Sequence, residues 1–437
     1  MTPFPHATAD AAEIQARAAS LIGKRLLELQ PTLAPMVPSS PATKGVVGRI
    51  YEACFDIPQN SRPGPDFEGA AVELKSVPIL ISGSEARAKE RISVGMIDFE
   101  GLALETWATA HARHKLQRLL LIFYRWEPFR PIASFQTLAA GIWSPDAESW
   151  SGMKADWELI RGLAAAGRRQ DVSESLTRLL GAATKGPGHG SVSRAWSLKQ
   201  PFVGWIYRQM TGDAQLDVVP DSDPAAVFEA DVLVMLRSRV GATLDTLGGA
   251  PGAGKAAGAR SVRRLLGLPA TGRSGEFERY GIEVKTVPVK PNGRLAEAMS
   301  FPSFVHEELA YESWEDSDLL GRLNRLLIVP LHRARDTSLA GTTLGRAFFW
   351  SPPEADLVGI RREWESVRDL IAAGQANSLP NASETQYIHV RPKGRDSRDR
   401  DTAPGGFDVV KKSFWLNQLY LESVLAEHDA LIPPPPR

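Results

Sequence analysis

The sequence of 437 residues contains one cysteine, Cys54, so no intrachain disulfide can form and the chain suits a reducing compartment. It carries no excess charge of either sign: 51 Lys and Arg balance 51 Asp and Glu, giving a formal net charge of zero. That excludes a protein that coats nucleic acid nonspecifically, whose footprint is a strong positive surplus. No apolar run approaches the length of a membrane span, and MTPFPHATADAAE lacks the charged-then-apolar order of a secretory leader. The expected setting is cytoplasmic, with no membrane partner. Hydrophobic residues at 43% and charged residues at 23% fit a globular protein with room for two ordinary domains.

The stretch 44–78, KGVVGRIYEACFDIPQNSRPGPDFEGAAVELKSVP, concentrates the chemistry. AVELKSV alternates, so as a strand it places Glu73 and Lys75 on one face and Val72 and Leu74 on the other. Asp66 precedes it after a Pro/Gly-rich turn, and Glu52 lies on VVGRIYEACF, whose apolar spacing predicts a helix. Oxygen ligands from Asp66 and Glu73, completed by water and a substrate phosphate, suit magnesium, with manganese as its substitute. A metal so held polarises a phosphoryl oxygen and acidifies a bound water. Lys75 is placed to orient that water and to offset charge on phosphorus, and Glu52 to hold a second metal or brace the first. The alternative is an exposed strand face with a Glu–Lys pair worth roughly 0 to 1 kcal/mol. Cys54, with no positioned base beside it, reads as core packing.

A second copy changes the weighing. Residues 255–288, KAAGARSVRRLLGLPATGRSGEFERYGIEVKTVP, align almost without gaps, with Glu73, Lys75 and Pro78 meeting Glu283, Lys285 and Pro288 at a constant offset of 210. HKLQRLLLIFY (114–124) parallels GRLNRLLIVPL (321–331), and IWSP (142–145) parallels FWSP (349–352). The chain is a tandem duplication. The copies are chemically unequal: Glu52 meets Arg263 and Asp66 meets Glu276. A guanidinium in place of a carboxylate should repel a cation and pair with the remaining acids, so Arg263, Glu276, Glu283 and Lys285 form a degenerate second site.

The ordered set KGxxG, a helical Glu, D/E-F, ELK-[ST]-VP, RHKLxRLL, WSP, and a late RPK followed by GF-x(3)-KK-x-F resembles the MutH-type mismatch-repair endonucleases. Two such lobes in one chain look more like the related type II restriction enzymes of the GATC-cutting kind. The resemblance implies an α/β fold of two tandem restriction-endonuclease-like lobes, each a mixed β-sheet flanked by helices around a DNA cleft. The expected layout is an N-terminal catalytic domain over 1–210, a linker over 211–227, and a DNA-binding, catalytically degenerate domain over 228–437. It implies Glu52, Asp66, Glu73 and Lys75 as the catalytic set, with Asp66 and Glu73 on the metal. Lys115 would lie near the DNA backbone, with Lys44, Lys185 and Lys199 also serving the first lobe and Arg391, Lys393, Lys411 and Lys412 the second. Arginine and lysine are the usual readers of guanine in the major groove.

The implied function is sequence-specific cleavage of double-stranded DNA at GATC-like sites. The implied partners are a homodimer on DNA and a companion DNA methyltransferase. Two other readings remain: a mismatch-repair nicking enzyme, normally single-lobed, and a DNA-binding protein that does not cut. Amphipathic spacing also predicts that each lobe opens with a helix, over 10–32 and 228–249.

Overall fold

A computed structural model of the chain describes residues 4–34, 45–58, 64–82, 85–127, 130–185, 193–212, 223–247, 257–270, 272, 275–333, 341–394 and 399–434. The chain divides into two compact units, Met1–Pro224 and Ala225–Arg437. Among the described residues no helix is long and apolar enough to cross a membrane.

The first unit has strands β1 (Glu73–Ser82), β2 (Glu85–Ala88), β3 (Ile92–Met96), β4 (Leu119–Arg125), β5 (Thr137–Trp143), β6 (Leu180–Thr184) and β7 (Arg194–Leu198). One sheet runs in the order β2-β1-β4-β5 and a smaller one in the order β3-β7-β6. β1 and β4 are parallel, with Glu73 opposite Leu119 and Lys75 opposite Leu121, whereas β5 runs antiparallel to β4. β4, LLLIFYR, is buried until its final arginine, as a strand covered on both faces must be.

The second unit repeats this plan with β8 (Ile282–Val289), β9 (Met299–Ser303), β10 (Arg325–His332), β11 (Thr343–Leu344), β12 (Phe348–Trp350), β13 (Ile388–Pro392), β14 (Arg400–Ala403), β15 (Phe407–Val410) and β16 (Lys412–Leu416). β8 pairs parallel with β10 in the same register, Glu283 opposite Leu326, and β12 pairs antiparallel. The second sheet, β13-β16-β9, matches β6-β7-β3, and β14–β15 form a separate hairpin. Each unit is thus the expected mixed α/β assembly.

A long helix packs on each core: Ala147–Ala165, started by Asp146 accepting from Ser149, and Glu354–Ala372. Each buries a tryptophan, Trp157 or Trp364, against a second one, Trp107 or Trp314, with ring centroids 5.6 Å apart in both units. The same helices carry a carboxylate that fastens the smaller sheet. Asp156 accepts from the N–H groups of Arg178, Leu179 and Leu180 at 2.7–2.9 Å, and Glu363 from those of Gln386, Tyr387 and Ile388 at 2.6–3.1 Å. Three otherwise orphaned donors at the start of β6 or β13 are satisfied by one side chain.

The opening helices are shorter than their spacing predicts. Ala11–Ala19 stops before Gly23, and Pro224–Arg237 before Gly241. Both glycines are left-handed (φ 82° and 83°) and donate their N–H across to the sheet region, to Thr137 and Leu344 respectively. Tertiary bonding there outweighs the amphipathic pattern.

Just before the first strand of each unit the backbone makes a left-handed step, at Ala71 (φ 52°) and at Gly281 (φ 63°). In the first unit the step closes a tight loop in which Phe67 and Val72 exchange main-chain hydrogen bonds of 3.0 and 3.2 Å. A Cβ in this region costs roughly 1–2 kcal/mol. Gly281→Ala should therefore lower the stability of the second unit by about 1 kcal/mol, read as an earlier urea midpoint. An unchanged midpoint would mean that the turn carries no such requirement.

Candidate active site

The site in the first unit is assembled from a helix, a turn, a strand and a second helix. Helix Val46–Cys54 buries Val47, Ile50, Tyr51 and Cys54 and leaves Glu52 at its boundary. The Tyr51 hydroxyl shares a 2.9 Å hydrogen bond with Thr137, which pins the helix over β5. Cys54 is a core residue, its thiol pushed up to about 11 by burial. Val72 and Leu74 enter the core, so Glu73 and Lys75 share the opposite face of β1, as alternation requires.

Glu73 is held between two cations. Its Oε1 accepts from Lys75 Nζ at 2.8 Å, and its Oε2 lies 3.5 Å from Lys115 Nζ on helix His111–Leu116. Asp66 Oδ2 accepts from the Leu74 N–H at 2.8 Å, which holds the carboxylate beside the first turn of the strand. Burial raises the Asp66 carboxyl above its ordinary range, and the Glu73 charge adds to this; the Leu74 N–H, Lys75 and Lys115 oppose it. Burial, and then the Asp66 charge, likewise raises Glu52. Glu52, Asp66, Glu73 and Lys115 line one cavity of about 440 Å³, together with His6 and Glu68.

This donor set fits a hard divalent cation. Like charges crowded in a partly buried pocket gain protons unless a cation neutralises them, which is the behaviour of Glu52 and Asp66 here. Among the described residues no group of three or more His, Cys, Asp and Glu forms a ready-made cage. Magnesium does not need one, since it is usually held by one or two carboxylates and completes its shell with water and phosphate oxygens.

The second unit keeps the framework and alters the chemistry. Glu283 Oε1 lies 3.3 Å from Lys285 Nζ and its Oε2 lies 3.2 Å from Arg322 Nη1, the same two-sided clamp with Arg322 standing where Lys115 stands. Helix Asp318–Leu323, which carries Arg322, is started by Ser317 accepting from Leu320. Arg263, at the position of Glu52, was expected to pair with the acids. Its Nε donates to the Pro269 carbonyl at 2.7 Å and its Nη2 to the Gly272 carbonyl, bracing the loop after its own helix, Ala257–Leu265. Glu276 sits in the first turn of helix Gly275–Arg279.

The profile of the DNA mismatch repair enzyme MutH matches residues 55–156 and again residues 269–363, once in each unit. The MutH protein of Vibrio campbellii is 33% identical over 40% of this chain and 74% of its own length, and that of Yersinia pseudotuberculosis is 31% identical over 36% and 70%. The chain belongs to the MutH family. Another relative covers much more of it: the type II restriction enzyme Sau3AI of Staphylococcus aureus is 26% identical over 93% of this chain and 96% of its own length.

The nucleic-acid contacts that the MutH resemblance implied divide into three groups. Lys44 lies outside the described residues. Lys115, Lys185, Arg391, Lys393 and Lys411 reach solvent wholly or in part, Lys411 while paired with Asp399 at 2.7 Å. Lys199 and Lys412 do not have the exposure a DNA contact needs, and for these two the expectation is corrected. Lys412 is buried, its ammonium donating to the Ala376 carbonyl.

Lys199 is 1% exposed; its ammonium donates to the carbonyls of Glu174 and Thr177, with the Glu174 carboxylate 3.7 Å away. Glu174 is in turn held by Arg91 at 3.0 Å. The second copy carries a usable signal, because the position equivalent to Lys199 is Asn417, which also starts a helix and also bonds a threonine carbonyl, that of Thr385. An amide N–H can take the place of a buried ammonium in donating to main-chain carbonyls.

Burial raises Asp156 to about 6, against its N–H partners, while burial lowers Lys199 to about 8. A carboxyl whose folded value exceeds its unfolded one stabilises the fold most below the unfolded value, and that contribution is lost as pH rises through the folded value. Through Asp156 the first unit should therefore lose stability between about pH 4 and 6, and Asp156→Asn should flatten the slope over that range in urea melts taken at each pH. Lys199→Ala, which removes the ammonium that serves the Glu174 and Thr177 carbonyls and takes a buried cation from beside Glu174, should cost about 3 kcal/mol or more. If it is tolerated and only DNA affinity falls, Lys199 belongs to the binding surface after all.

Proposed function

We propose that this protein is a sequence-specific type II restriction endonuclease that hydrolyses phosphodiester bonds of double-stranded DNA with magnesium, cutting in its first unit at GATC-like sites. The supporting observation is the pairing of Glu73 with Lys75 and Lys115, beside Asp66 and Glu52 in one cavity, in a chain related along most of its length to a type II restriction enzyme. The 2.8 Å contact of Lys75 with Glu73 places a fixed positive charge on the face where a scissile phosphate would enter.

Asp66 and Glu73 are the residues that would hold the metal, which when bound supplies Lewis acidity and an acidified water. Lys75 offsets the charge that accumulates on phosphorus and steers the attacking water in line with the leaving oxygen. Lys115 neutralises the phosphate flanking the scissile one. Glu52, with its raised proton affinity, hydrogen-bonds the water shell or accepts a proton from it. The Leu74 N–H keeps Asp66 aimed at the cavity throughout.

One working centre cuts one strand per visit, so a double-strand break calls for a second chain or a second visit, and the first of these makes the working form a homodimer on DNA. The second unit binds DNA without cutting it. The protein works in the cytoplasm, beside a methyltransferase that shields the host's own sites. The mismatch-repair reading accounts for the chemistry but leaves the second unit without a task.

Supercoiled plasmid with magnesium tests the proposal. The wild type should give discrete fragments and none in EDTA; with protein in saturating excess over plasmid, so that weakened binding does not limit the rate, Lys75→Ala should slow cleavage by about 100-fold or more and Lys285→Ala by no more than about threefold. Equal losses in the two variants would assign chemistry to both units, and no cleavage by the wild type on unmethylated DNA would leave only the binding role.

A further inference from the structure

The second unit has inverted the charge of its centre. In the first unit the carboxylates Glu52, Asp66 and Glu73 outnumber the ammonium groups Lys75 and Lys115 by one. Around Glu283 the order is reversed: Lys285, Arg322 and Lys393 outnumber Glu283 and Asp318 by one. Glu276, aligned with Asp66, has no hydrogen bond or ion pair to this group among the described residues.

The three cations come from separate elements and converge on one spot. Lys285 rises from β8, Arg322 from helix Asp318–Leu323, and Lys393 follows β13. Lys285 Nζ donates to the Ser300 carbonyl at 3.0 Å and lies 4.6 Å from the Phe301 ring centre. Lys393 Nζ donates to Ser300 Oγ at 2.9 Å and to the Phe301 carbonyl. Desolvation, and then the charges of Lys285 and Arg322, lower Lys393 to about 8. Crowded cations that depress one another are the mirror image of the crowded acids in the first unit, and an anion relieves them as a metal relieves the acids. At the rim, Arg391 lies over the Trp415 ring at 5.2 Å, beside Lys393 at 5.7 Å.

We propose that the centre of the second unit binds a phosphodiester group of duplex DNA directly on Lys285, Arg322 and Lys393, without a divalent cation. Fixed side-chain charge does there what the metal does in the first unit, and with Glu283 and Asp318 both engaged by these cations the bound strand stays uncut. The inference rests on the reading of this chain as a protein that acts on duplex DNA.

The test uses the full-length protein in EDTA and a short labelled duplex containing GATC, followed by fluorescence anisotropy. The wild type should bind; Lys285→Gln/Lys393→Gln should bind about tenfold more weakly, with a log affinity against log salt slope flatter by about one. A wild type that needs magnesium to bind, or a double variant that binds as the wild type does, overturns the proposal. A second measurement guards against misfolding. Inorganic phosphate in EDTA, against chloride at equal ionic strength, should raise the unfolding temperature of the wild type; no gain overturns the site. Plasmid cleavage on the same preparations separates the two readings. Loss of cleavage with Lys285- and Lys393-dependent binding intact removes the nuclease assignment alone, whereas normal cleavage with unaltered binding by the double variant removes this site alone.

Discussion

Both units are built around one glutamate that is gripped from two sides. A lysine two residues along the same strand takes one carboxylate oxygen, and a cation on the helix before the neighbouring parallel strand takes the other: Lys75 and Lys115 on Glu73, Lys285 and Arg322 on Glu283. The grip depends on strand register. Glu73 lies opposite Leu119 and Glu283 opposite Leu326, so the helix ending just before each partner strand delivers its cation to the same place. A slip by one residue would turn the glutamate into the core. What differs between the units is the charge arriving from outside this frame, two further acids in one and a third cation in the other.

Much of this frame was legible in the residues. Alternation in AVELKSV put Glu73 and Lys75 on one face, and the constant offset between the copies made a weak motif a specific one. The helical reading of VVGRIYEACF also holds, because its apolar positions, Val47, Ile50, Tyr51 and Cys54, all enter the core.

Other features depend on partners distant in sequence. Lys199 and Lys412 read as solvated charges because a lysine's usual partner is water, and nothing local discloses the carbonyls of Glu174, Thr177 and Ala376 that receive them. Nothing local discloses either that Arg263 bonds the main chain of its following loop. The opening helices were overextended, since amphipathic spacing continues past Gly23 and Gly241 while the backbone turns away to bond Thr137 and Leu344.

The carboxylate that fastens β6 or β13 to the long helix is an aspartate in one unit and a glutamate in the other, yet each meets three consecutive N–H groups. Those N–H groups act as a socket, and the two stems that plug into it differ by one methylene, about 1.5 Å of reach. The socket fixes direction while the stem takes up slack between helix and sheet. Such a joint lets a duplicated architecture drift in spacing without losing alignment, so that each copy keeps presenting its strands in the same way while the residues upon them change.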